Sequence, residues 1–202
     1  MQIPAATPER ILDEAERLFA SRGVSGVSLR EIALAAAQRN NGAVQYHFGD
    51  RDGLVRAVFA RRAGPIDRRR VELLDALPPA GQLDVEEVVA AYVDPLADQV
   101  VAANWYVPFL SRLQAEHRRD ELLRPASAGI DVGYTMARSM LRNGPLAHLG
   151  RRTFSVRWRL TMNLAIDALA DHQLGSYGED TRAFSRELVP AITGLLRGPA
   201  RA

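Results

Sequence analysis

Apolar residues recur every three or four positions along most of this chain, with no stretch of strict alternation, so the pattern predicts helices and no strands. Ile11, Ala15, Leu18 and Phe19 form the first stripe. It opens at Thr7-Pro8-Glu9, a cap, a first-turn proline and an acid at the positive dipole end, and Gly23 stops it. A second helix starts at Ser28, which stands three residues before Glu31 as in a capping box, and carries Leu29, Ile32, Ala33 and Ala36. Gln38 and Arg39 fill a turn. Asn40 or Asn41 then caps a third helix through Gly42, Ala43, Val44, Gln45 and Tyr46, with Val44 and Phe48 pointing inward. Gly49 breaks the chain, and Asp50 caps a long fourth helix carrying Leu54, Val55, Val58 and Phe59, kinked at Gly64-Pro65 where an amide is missing.

Residues 77–82, LPPAGQ, are a loop by composition. Asp84 and Glu87 then form a second capping box ahead of Val85, Val88, Val89, Tyr92 and Val93, in a helix that Pro95 ends or kinks. Further helices are expected from about Asn104 to Glu116, from Pro125 to Asn143-Gly144-Pro145, over Arg151 to Leu169, and from about Asp180 to Arg197 with a bend at Pro190. The expected fold is all-α, with about nine helices: a helix-turn-helix head over 1–49, a linking fourth helix over 50–77 and a second helical domain over 78–202.

The second and third helices carry the most distinctive chemistry. Arg39, Asn41, Gln45, Tyr46 and His47 are left outside as donors, acceptors and aromatic edges, while Gly42 and Ala43 permit close backbone approach. Such groups suit a DNA major groove, where Arg pairs with guanine and Asn or Gln with adenine. An ordinary helical hairpin with a solvated face has the same spacing.

With the flanking helices included, the chain resembles the tetracycline-repressor (TetR) family of bacterial transcriptional regulators over roughly residues 7–60. The resemblance is carried by Ile11-Leu12, Ala15, Leu18-Phe19 and Gly23, by Ser28-Leu29-Arg30-Glu31-Ile32-Ala33, and by residues 46–54, YHFGDRDGL. It departs in the turn, where Ala36-Ala37-Gln38-Arg39-Asn40 replaces the usual Ala-Gly-Val-Ser with one residue more, and at Gln45, where members place Tyr. Either Gln45 or Tyr46 takes that contact. Arg51 stands where the family has Lys. The resemblance implies a double-stranded DNA operator read by a homodimer and a small-molecule effector. Gln38, Arg39, Asn40, Asn41, Gly42, Ala43 and Gln45 are assigned to base or groove contacts, and Ser28, Arg30, Tyr46, His47 and Arg51 to phosphates.

Charge distribution agrees. The net charge is only +2, yet between Val24 and Arg62 six Arg (30, 39, 51, 56, 61, 62) face three acids (31, 50, 52). Every basic residue is Arg, in the neutral half as well, which fits coding bias better than selection for bidentate contacts; Arg68-Arg69-Arg70 fits a solvated face. The chain has no Cys, which excludes disulfides and thiolate metal sites, and it lacks both a signal-peptide pattern and a membrane-length apolar run, so a cytoplasmic protein without membrane partners is expected.

Two further sites are expected. Tyr92, Trp105, Tyr106, Phe109, Tyr134, Met136 and Met140 are candidates for a pocket binding a small hydrophobic effector, although aromatics and Met at this spacing also make ordinary core. The helix from Arg151 is apolar on more than one face, so Trp158, Thr161, Met162, Ala165 and Leu169, with Phe184, Leu188, Ile192 and Leu195 of the last helix, are assigned to a two-helix dimer interface. The four His (47, 117, 148, 172) are scattered, no phosphate-cradling Gly loop or nucleophile elbow is present, and no cofactor or metal is implied, so the chain is not expected to be an enzyme. The alternatives are an activator of the same fold, or a helical small-molecule-binding module or enzyme without DNA activity.

Overall fold

The computed structural model describes residues 8–37, 42–102, 104–117, 119–123, 129–175 and 180–199. Its helices are α1 (Pro8–Arg22), α2 (Leu29–Ala35), α3 (Gly42–Phe48), α4 (Arg51–Asp75), α5 (Val85–Val101), α6 (Tyr106–Ala115), α7 (Arg119–Leu123), α8 (Val132–Asn143), α9 (Arg151–Gln173) and α10 (Thr181–Arg197), with a 3-10 turn at Ala80–Gln82. No strand occurs among the described residues, and none of their helices is long and apolar enough to cross a membrane. The expected all-α fold is present; α7 is a helix the apolar pattern did not separate. Thr7 and Pro125, expected to start helices, lie outside the described residues.

The chain divides into two units, 1–63 with 104–128 and 64–103 with 129–202. This differs from the boundaries read from sequence, because α6 and α7 join the N-terminal helices. The reason is apolar: Phe109 of α6 and Phe19 of α1 are fully buried with ring centroids 6.2 Å apart, and Tyr106 lies 6.4 Å from Phe59 of α4. Each such side chain contributes about 1.5–3 kcal/mol on burial. Ile11, Ala15, Val24, Val27, Ile32, Val44, Leu54 and Leu113 complete this core.

In the second unit, Asp84 caps α5 through the Glu86 amide at 2.6 Å. Pro95 does not end that helix; Leu96, Ala97 and Val100 are buried beyond it, offsetting the roughly 3 kcal/mol a mid-helix proline costs. Pro65 and Pro190 likewise lie inside α4 and α10. Buried Asp67 of α4 accepts the Gly133 amide at 2.9 Å, so α8 starts close against α4: a Cβ on Gly133 would meet Arg70 Cβ at 2.7 Å. The α9–α10 pair is antiparallel. Arg157 donates to the Leu196 carbonyl at 2.9 Å near one end, and His172 stacks on Phe184 at 4.4 Å near the other.

Candidate nucleic-acid interface

The start of α2 is built by a reciprocal cap. The Glu31 amide donates to Ser28 Oγ at 3.2 Å, and Glu31 Oε2 accepts from the Ser28 amide at 2.8 Å and its hydroxyl at 2.7 Å. Arg22 Nη2 holds the other Glu31 oxygen at 2.8 Å. The Ser28 backbone amide, then Arg22 and the Ser28 hydroxyl, lower the Glu31 pKa to about 2. Ser28, assigned to a phosphate, therefore has its hydroxyl committed to this cap. Arg30, with the same assignment, is exposed on α2.

Between the helices, Ala37 donates to the Leu34 carbonyl at 3.0 Å and has φ +58°. This left-handed conformation brings Cβ against the backbone, and it falls on the residue that stands where the resembling family has Gly. Gln38, Arg39, Asn40 and Asn41 lie outside the described residues.

Val44 is fully buried and anchors α3, with Phe48 half-buried beside it. Gly42, Gln45, Tyr46 and His47 are exposed and Ala43 half-buried, all on this one seven-residue helix. Tyr46 is 85% exposed, its ring edge-on to His47 at 5.0 Å. A side chain this open makes no core contribution, so its apolar ring is available to an outside partner. Asp50 caps α4 through the Gly53 amide at 2.7 Å, leaving Arg51 half-exposed at the junction.

The seven expected pocket residues separate. Trp105, Tyr106 and Phe109 belong to the first unit, where Tyr106 and Phe109 are core and Trp105 is 38% exposed. Tyr92 and Tyr134 form a cluster in the second unit with Trp158, at centroid distances of 5.6–6.1 Å, and the Arg70 guanidinium lies 3.8 Å over the Tyr92 ring. Met136 and Met140 are half-buried on α8. Trp158 Nε1 is buried without a hydrogen-bond partner among the described residues. None of the seven lines the groove of about 1050 Å³ between α5 and α10, where Glu87, Asp94 and Asp98 face Arg182, Ser185 and Arg186. Desolvation raises the Asp94 pKa, although Ser185 donates to it at 2.9 Å.

The interface assignment needs correction. Trp158, Thr161, Met162, Ala165, Leu169, Phe184, Leu188 and Ile192 are buried within the single chain, where α9 and α10 pack on one another and on α5; only Leu195 of that set is exposed. The exposed line of α9 runs Arg152, Val156, Leu160, Leu164, Asp171, with the three apolar members 42–52% exposed. Periodicity marked this helix as apolar on more than one face; which face the chain covers depends on its own tertiary packing.

Sequence reasoning also missed Glu16, which is 2% exposed on the buried face of α1. A carboxylate interleaved with Ile11, Ala15, Phe19 and Ala20 was the available signal, since such a group is buried only when paired.

Residues 11–58 match the model of the family described as bacterial regulatory proteins, tetR family. Over 89 residues, 44% of this chain, the sequence is 36% identical to the HTH-type transcriptional regulator SrpR of Pseudomonas putida and 35% identical to the uncharacterized HTH-type transcriptional regulator TtgW of the same species. Those matches span 38% and 61% of the two relatives, so the likeness covers only part of each. The fold is similar to that of the transcriptional regulator FadR from Bacillus subtilis in complex with stearoyl-CoA, with a TM-score of 0.63 at 17% identity over 96% of this chain and 100% of that one.

Proposed function

We propose, for a chain that belongs to the tetR family of bacterial regulatory proteins through residues 11–58, that it is a ligand-responsive transcriptional repressor reading a palindromic DNA operator as a homodimer. The observation that carries this reading is α3: Val44 fixes it to the core, while Gln45, Tyr46 and His47 stand exposed on it, with Arg30 exposed on α2 and Arg51 half-exposed at the start of α4. Gln45 is the base-reading group and the cations position the backbone. One helix of seven residues spans too few base pairs for specificity; two related by a two-fold axis read half-sites about 34–36 Å apart, or a multiple of it.

The α9 line supports self-association. Its basic end, apolar middle and acidic end make it self-complementary: an antiparallel two-fold pairing sets Leu160 against Leu164 of the partner subunit and Arg152 against Asp171 of the partner subunit. The Tyr92, Tyr134 and Trp158 cluster is the proposed place for a small apolar effector with a hydrogen-bond acceptor for the buried Trp158 N–H. A gel shift against the gene's own upstream DNA, at about 0.15 M salt with competitor, tests the reading, with stearoyl-CoA as the first effector probe. A sequence-specific shift of the dimer supports it, and binding indifferent to sequence sinks it.

A further inference from the structure

The chain passes between its two units three times, at 63/64, 103/104 and 128/129. Glu16 holds the first-unit side of two of these passages. Its Oε2 accepts from Arg61 Nη2 at 2.8 Å and Arg62 Nε at 3.2 Å, immediately before the first passage. Its Oε1 accepts from the Trp105 backbone amide at 3.0 Å, immediately after the second. Arg61 is held further by Asp13, through Nη1 at 2.7 Å. All of these groups lie in the first unit, and the carboxylate at their centre is nearly fully buried.

We propose that Glu16 is a positioning residue that couples the two units, fixing to α1 two of the three segments by which the second unit is joined to the first. Only a carboxylate does this, because each of its oxygens accepts; Gln has one acceptor, and its NH2 must face either a guanidinium or an amide N–H. On the regulator reading given above, this coupling is how a state of the second unit reaches the helices that bind DNA.

Nature has placed one Trp in each unit, Trp105 and Trp158. The full chain labelled with 5-fluorotryptophan therefore gives one ¹⁹F signal per unit, assigned with W105F, and urea unfolding is followed at both. In the wild-type chain the two midpoints coincide within about 0.1 M, and in E16Q they separate by about 0.5 M or more. R61Q, which removes one donor and leaves the carboxylate, gives a smaller separation and serves if E16Q does not fold. A purely structural Glu16 shifts both midpoints together in every variant, and that result overturns the proposal. So do wild-type midpoints that already differ. DNA binding is scored separately on the same samples: a wild-type chain that binds no duplex selected from random sequence refutes the regulator reading and leaves the urea comparison to decide the coupling.

Discussion

Glu116, at the end of α6, takes both the backbone amide and the hydroxyl of Ser25 on one carboxylate oxygen, at 3.2 and 2.7 Å, and fills the space over Gly23. Gly23 has φ +78°, and a Cβ there would lie 2.2 Å from Glu116 Oε1. Gly23→Ala is expected to cost about 1–2 kcal/mol from the backbone alone, and more because Glu116 must leave Ser25. Urea denaturation measures the loss. In the double variant with Glu116→Ala the two costs add to less than their sum, since one clash and one contact are shared.

Ala37 presents the opposite case. Its φ of +58° strains a residue with a Cβ, so Ala37→Gly is expected to stabilise the chain by about 1 kcal/mol and raise Tm by about 2–4 °C in a thermal scan. A loss of stability would show that the left-handed turn carries no strain.

Acid should act on the α2 cap in a defined window. The folded-state pKa of Glu31 is about 2 against an ordinary 4.5, so ionised Glu31 favours the folded state. That contribution is complete above pH 4.5 and is lost as the pH falls from 4.5 towards 2. Tm measured through this range falls less steeply in Glu31→Gln than in the wild-type chain, and parallel curves would contradict the assignment.

On α9 the proposed association face and the buried face can be tested separately. Leu160→Glu, at a position 52% exposed, is expected to leave the fold intact and weaken self-association at least tenfold, about 1.4 kcal/mol, as read by sedimentation. Ile192→Ala, at a fully buried position, costs about 2–5 kcal/mol of stability by cavity formation. A Leu160→Glu chain that still dimerises at micromolar concentration moves the interface elsewhere.

On the proposed DNA surface, Gln45→Ala should change which base is preferred at one position of each half-site, by about 1–3 kcal/mol. Arg51→Ala should weaken all sequences alike and reduce the salt slope by about one. Binding-site selection with each variant distinguishes the two outcomes.

What could be read from the sequence was local. The Ser28–Glu31 cap joins residues three positions apart, and the exposure of Gln45 and Tyr46 follows from one anchoring Val44, so both were visible in a short window. The function of α6 was not, because the partners of Phe109 and Glu116 stand about 90 residues upstream, at Phe19 and Ser25. Similarly, Trp158 and Leu160 are both apolar on one helix, and only the packing of α10 and α5 decides that the first is covered and the second open. At Pro95 the sequence left an end or a kink open, because its helix-breaking effect is local, whereas the burial that carries α5 past it comes from residues brought together by the fold.

Placing α6 with α1 also sets an order of events during synthesis. The first unit places Phe109 against Phe19 and Glu116 on Ser25, so these contacts form only once the ribosome has released the chain through α6, well after all of α5 has emerged. A nascent chain of the first 63 residues exposes the surface that α6 later covers. The stretch most similar to known regulators, residues 11–58, is thus not a fragment to excise, and a truncated or fused head should carry α6 and α7 with it to remain free of aggregation.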